Sequence, residues 1–169
     1  MPQDNPIQKA CAPLQEMLAS NPDARLNTSQ ATAEIKSGLK TYFTQNDRTI
    51  IMDMPESVGG DNTGPTPGYH ARAAVAGCVA IGVKMTAANA GVVFDHVRVD
   101  LEMDFDDGAA FGIGTNTAAP METRLNIVVT TDQPREIVDE LIARALEADT
   151  FYLALRDAQV VKTTVSIAT

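Results

Sequence analysis

Gly59-Gly60-Asp61-Asn62-Thr63-Gly64-Pro65-Thr66-Pro67 runs directly into an apolar segment, Ala71 to Gly91, with Cys78 in its middle. From Ala73 to Val83 the chain reads Ala-Ala-Val-Ala-Gly-Cys-Val-Ala-Ile-Gly-Val, without a charge or a side-chain amide or hydroxyl. The spacing predicts a helix from about Gly68 to Asn89, roughly 33 Å long at ~1.5 Å per residue. A helix apolar nearly all round has no solvent face, so sheet or a second copy of the chain must enclose it. Its thiol is then held inside that shell.

Outward from this helix the pattern is mixed. Asn5-Pro6 opens a short helix with Ile7, Cys11, Leu14 and Leu18 on one face, and Asn21-Pro22 ends it. Ala33–Lys36, Lys40–Thr44 and Arg48–Asp53, with a turn at Gln45-Asn46-Asp47, read as three meandering strands. Val97 to Phe105 alternates apolar and charged residues, which is a strand with one dry face. Asp107 to Pro120 is a Gly/Ala-rich loop, and the acidic run Asp104–Gly108 reads as a solvated turn. Thr123 to Thr131 is a further strand. A helix follows, with Asp132 as N-cap, Pro134 near its first turn, and Ile137, Leu141 and Ala145 on one face. A short helix around Phe151–Leu155 and a closing strand from Val160 to Ile167 complete an α+β order.

Composition bounds the function. The 169 residues suffice for one domain with a real core, the hydrophobic share is 44%, and tryptophan is absent. A net charge of −9 argues against nucleic acid as a partner. The uncharged stretch falls short of the ~20 residues that span a bilayer, so no membrane is expected. Asp4, Lys9 and Glu16 interrupt the N-terminal segment, which lacks the apolar run of a secretory signal. Two cysteines 67 positions apart fit neither a disulfide framework nor a zinc site. The expectation is a cytoplasmic protein with reduced thiols, no metal and no cofactor.

The Gly59-Gly60 pair, the Gly64-Pro65-Thr66-Pro67 turn, the Ala-rich helix with Gly77-Cys78 and the element order resemble the OsmC/Ohr family of thiol-dependent peroxide reductases. The resemblance covers roughly Ala31 to Ile167 and implies one domain over residues 31–169, with residues 1–30 as an added N-terminal helix and linker. It implies an intertwined, swapped homodimer whose mixed β-sheets wrap the buried central helices. It further implies that a reactive cysteine attacks a peroxide O–O bond, and that a second cysteine condenses with the resulting sulfenic acid.

Residue by residue, the family's peroxidatic cysteine falls on Cys78. Its arginine falls on Arg48, with Lys40 as the rival. Its acidic residue, ten positions before the cysteine, falls on Gly68. Its resolving cysteine falls on or next to Asp149, so the two-cysteine cycle is broken here.

An unperturbed thiol with pKa ~8.5 is about 3% ionised at pH 7, and lowering it to ~6 gives about thirtyfold more thiolate, or ~2 kcal/mol. Burial works the other way. Along the helix, His70 and Arg72 point away from Cys78, so an activating cation must come from a strand or a partner chain; Arg48 is the candidate. Two readings of Cys78 stand: an inert packing residue, or a nucleophile. Cys11 is either a filler on its helix or the resolving thiol, docked over Cys78. His70 and His96 read as a helix-entrance residue and a strand-start surface residue.

The leading expectation is therefore a homodimeric reductase of organic hydroperoxides, with Cys78 as nucleophile, Arg48 as its cation and an external thiol or Cys11 for resolution. The alternative is a redox-inactive module that binds a small apolar ligand at the dimer interface. A weaker third is a structural or regulatory partner that makes contact through the N-terminal helix.

Overall fold

The computed structural model describes residues 5–168. Helix α1 (Pro6–Ser20) begins where Asn5 Oδ1 accepts the backbone N–H groups of Ile7 and Gln8. Strands β1 (Thr32–Ile35), β2 (Thr41–Gln45) and β3 (Arg48–Met52) form an antiparallel meander. Gln45 pairs with Arg48 across a turn in which Asn46 adopts φ 53°, a conformation Asn tolerates better than most residues. No residue of these three strands is buried within the chain.

A tightly fastened loop leads from β3 to the central helix. Asp53, 1% exposed, accepts the N–H groups of Met54 and Thr63 and the Thr63 hydroxyl. These bonds hold its carboxyl down at about 2, with the Thr63 hydroxyl the largest cause. Gly60 is obligatory in this fold: a Cβ there would lie 1.9 Å from the Met54 carbonyl oxygen. Helix α2 (Pro67–Asn89) starts with Pro67 in its first turn and Thr66 as cap, its Oγ1 accepting from Tyr69 N at 3.2 Å. It ends at Ala90, followed by Gly91 at φ 74°.

Strands β4 (His96–Asp104) and β5 (Glu122–Thr130) form an antiparallel ribbon in which Val97 faces Val129, Val99 faces Ile127 and Leu101 faces Leu125. Their dry face receives α2 and α3 (Arg135–Leu146). The core is Val79, Val83 and Ala87 of α2, Phe94, and Val138, Leu141 and Ala145 of α3. On the wet face Arg124 forks to Glu102 and Asp104. Helix α4 (Thr150–Arg156) packs across α2.

Three expectations are corrected. Asp132 does not cap α3; Pro134 occupies that position with no side-chain cap, because Thr131 Oγ1 takes the Gln133 N–H and donates to Val93 O. Val138 rather than Ile137 joins Leu141 and Ala145 inside. The segment from Val160 to Ile167 forms no strand: it pairs with nothing in its own chain, and Val160, Val161, Val165 and Ile167 are each more than 80% exposed. The loop 107–120 is more ordered than its composition suggests. Asp106 accepts from Gly108 N, Ala109 N and Asn116 Nδ2.

Candidate functional site at Cys78

Helix α2 buries only one side in its own chain. Val75, Val79, Val83, Ala87 and Ala88 are buried, whereas Ala71, Ala74, Ile81 and Met85 are exposed. With Cys78 these four follow a 3-4-3-4 spacing along one face, the pattern of a helix that packs on another helix. Cys78 is half-buried at the margin between this face and α4.

One turn after Cys78 comes Gly82, and its missing side chain makes room for Asp149. The Asp149 Oδ2 lies 3.4 Å from where a Gly82 Cβ would sit. Asp149 is 4% exposed and caps α4, its Oδ1 accepting from Phe151 N at 3.1 Å and Tyr152 N at 2.8 Å. That leaves Oδ2 toward α2, where the carboxylate acts on the Cys78 thiol. Burial pushes the Cys78 thiol up, and the hydrogen bond and charge of Asp149 push it further. The backbone N–H groups of Phe151 and Thr150 pull in the opposite direction without reversing it.

The other sequence-derived residues are dispersed. Arg48 opens β3, exposed, its guanidinium making no hydrogen bond or ion pair among the described residues. Lys40 precedes β2, half-buried. Within one chain neither figures among the groups that shift Cys78; the charge acting on the thiol is that of Asp149. Cys11 lines an apolar groove of about 730 Å³ that shares Ile81 and Met85 with the exposed face of α2, together with Ile7 and Val97. The space beside Gly68 is taken by Arg72, whose Nη1 lies 3.2 Å from a would-be Cβ. His70 packs edge-on to Tyr69, its Nε2 buried without a hydrogen-bond partner, and His96 is exposed at the start of β4. Among the described residues no three His, Cys, Asp or Glu side chains converge as metal ligands would.

The sequence reading placed Asp149 as a missing thiol and did not see it as an acid on the sulfur. Its signal was an Asp directly before Thr150-Phe151-Tyr152, an N-cap pattern. Asp53 was also overlooked, because a buried carboxylate satisfied by a loop leaves no periodic trace.

The profile of the family described as OsmC-like protein matches residues 60–164, which takes in the loop, the Cys78 helix and the Asp149 cap. The chain belongs to the OsmC-like family. Among solved structures it is similar to an OsmC-like protein from Mycoplasma pneumoniae, with TM-score 0.64 and 12% identity over 77% of this chain and 88% of that one. An organic hydroperoxide resistance protein OsmC from Legionella pneumophila matches with TM-score 0.55 and 19% identity, over 78% and 90%. The organic hydroperoxide resistance protein OhrB of Bacillus subtilis matches with TM-score 0.50 and 21% identity, over 77% and 91%. At these identities the structures establish the α+β OsmC/Ohr fold. Among curated proteins no sequence match is found.

Proposed function

We propose that this OsmC-like chain is a one-cysteine, thiol-dependent reductase of organic hydroperoxides that works as a cytoplasmic homodimer, with Cys78 as nucleophile. The observation that carries the reading is the setting of Cys78: half-buried on α2 where α4 packs, and in line with the exposed apolar residues Ala74, Ile81 and Met85. Such a face desolvates an alkyl group at little cost, which suits an organic hydroperoxide better than hydrogen peroxide.

In this reading the Cys78 thiolate attacks one peroxide oxygen, the O–O bond breaks, and the leaving alkoxide takes a proton to become the alcohol. Cys78 is left as sulfenic acid. An external thiol then condenses with it, releasing water, and a second restores the free cysteine. Arg48 from the partner chain supplies the positive charge that the thiolate lacks within its own chain, a role supported by its guanidinium, unpaired among the described residues, on an uncovered sheet.

The test is consumption of cumene hydroperoxide with dithiothreitol as reductant. Cys78→Ser is expected to abolish it, and Arg48→Ala to lower kcat/KM about a hundredfold, within the range for losing one charge-stabilising donor. Activity retained in Cys78→Ser sinks the reading.

A second reading is favoured by one observation, the carboxylate beside the thiol, which works against ionisation. Here the fold serves as a redox-inactive module holding a small apolar ligand at the interface. Failure of a sulfenic-acid probe to label Cys78 after cumene hydroperoxide treatment decides for it.

A further inference from the structure

We propose that Asp149 is a positioning residue that holds oxidised Cys78 as a persistent sulfenic acid, so that this chain stores the oxidised state on one sulfur instead of passing it to a protein disulfide. The inference rests on the reductase reading and deepens it.

Asp149 is nine-tenths buried and doubly anchored. Phe151 N and Tyr152 N fix its Oδ1, while Oδ2 lies 3.4 Å from the Cβ position of Gly82, one turn beyond Cys78, whose thiol its charge reaches. A buried carboxylate oxygen with no backbone donor of its own is a strong acceptor for an O–H group one bond further out. When the hydroperoxide oxidises the sulfur, Cys78–S–OH carries such a group toward that oxygen. The charge-assisted bond keeps the proton on the sulfenic oxygen. The deprotonated sulfenate is the form that attacks a second hydroperoxide to give sulfinic acid, with the peroxide reduced to alcohol. Holding the proton therefore slows over-oxidation. Asp149 also fills the place from which a second thiol would attack, and a carboxylate forms no S–S bond. Reduction must then come from a small thiol supplied from outside the chain.

The experiment uses the full chain. It is oxidised with one equivalent of cumene hydroperoxide, desalted and pulsed with dimedone over time, with peptide mass mapping at Cys78. Wild type is expected to keep its dimedone-reactive sulfur and to form no Cys11–Cys78 disulfide. Asp149→Asn keeps the acceptor for Phe151 N and Tyr152 N but removes the charge. It is expected to shorten the sulfenic-acid lifetime by about tenfold or more, with the loss appearing as sulfinic acid. Gly82→Val, which intrudes on the 3.4 Å gap and displaces the carboxylate, is expected to act in the same direction.

Asp149→Cys treated with diamide, which needs no peroxide, is expected to lose two hydrogens by forming a bond between Cys78 and the new thiol. A wild-type adduct whose lifetime Asp149→Asn leaves unaltered overturns this inference alone, as does absence of the engineered disulfide. A wild-type chain that leaves the hydroperoxide untouched overturns the reductase reading, and this inference with it.

Discussion

Thr63 grips Asp53 twice: its backbone N–H and its hydroxyl both donate to Asp53 Oδ2, at 3.0 and 2.7 Å. The pair, ten positions apart, clamps the loop between β3 and the helix that carries Cys78. Because the bonds favour the charged form, the folded carboxyl sits at about 2 against an ordinary 3.8. The stability this contributes is fully present above about pH 4 and is lost as pH falls toward 2. Urea midpoints of wild type and Asp53→Asn are expected to differ most near neutral pH and to converge across that acid window. A gap that stays constant with pH assigns the effect to packing instead.

Gly60 tests the same loop without charge. Its Cβ position falls on the Met54 carbonyl, a backbone atom with no freedom to swing aside. Gly60→Ala is expected to cost about 3 kcal/mol, read as a fall of ~6–12 °C in Tm. Gly77→Ala is the control, since a Cβ there meets nothing within 4 Å of described atoms, and it raises helix propensity by ~1 kcal/mol.

Reactivity at Cys78 carries its own pH signature. Within one chain burial and Asp149 push the thiol above its ordinary 9.0, so in dilute Ile81→Glu, separated from the partner's Arg48, alkylation by iodoacetamide is expected to keep climbing about tenfold per pH unit beyond pH 9. Asp149→Asn should bring the plateau to lower pH. The linkage has the opposite sign to that of Asp53. A raised thiol stabilises the fold fully below its unfolded pKa and loses that contribution as pH rises through the folded value. Cys78→Ser is expected to flatten the alkaline limb of stability.

Association is read at Ile81, 62% exposed on the uncovered face of α2. Light scattering is expected to give twice the 18.0 kDa chain mass for wild type. Ile81→Glu, burying a charge between two apolar helices, is expected to weaken the dimer by ~2–3 kcal/mol, or about 30- to 150-fold in Kd. A monomeric wild type at micromolar concentration removes the dimer from the proposal.

Much of the fold is legible in the chain because its signals are local. The strict alternation of Val97 to Phe105 can only be a one-sided strand, and Thr66-Pro67 against Gly91 brackets α2 within a residue of its observed ends. The failures occur where local signals compete. Asp132 and Thr131 both offer an oxygen there; Thr131, held by its hydrogen bond to Val93 O, takes the Gln133 N–H, and α3 starts without a side-chain cap. Val160 to Ile167 has the composition of a strand, but a strand needs a partner edge, and this segment pairs with none among the described residues.

At the site, residue types and their order follow from the sequence alone: one cysteine on an apolar helix, a glycine one turn later, an aspartate at a helix cap far downstream. That Oδ2 of this aspartate sits over that glycine, and that the charge acting on the thiol within its chain is negative, belongs to tertiary structure. Helix periodicity is set by contacts a few residues apart and can be read along the chain. The electrostatics of Cys78 depend on a residue 71 positions away, brought in by the packing of α4 on α2.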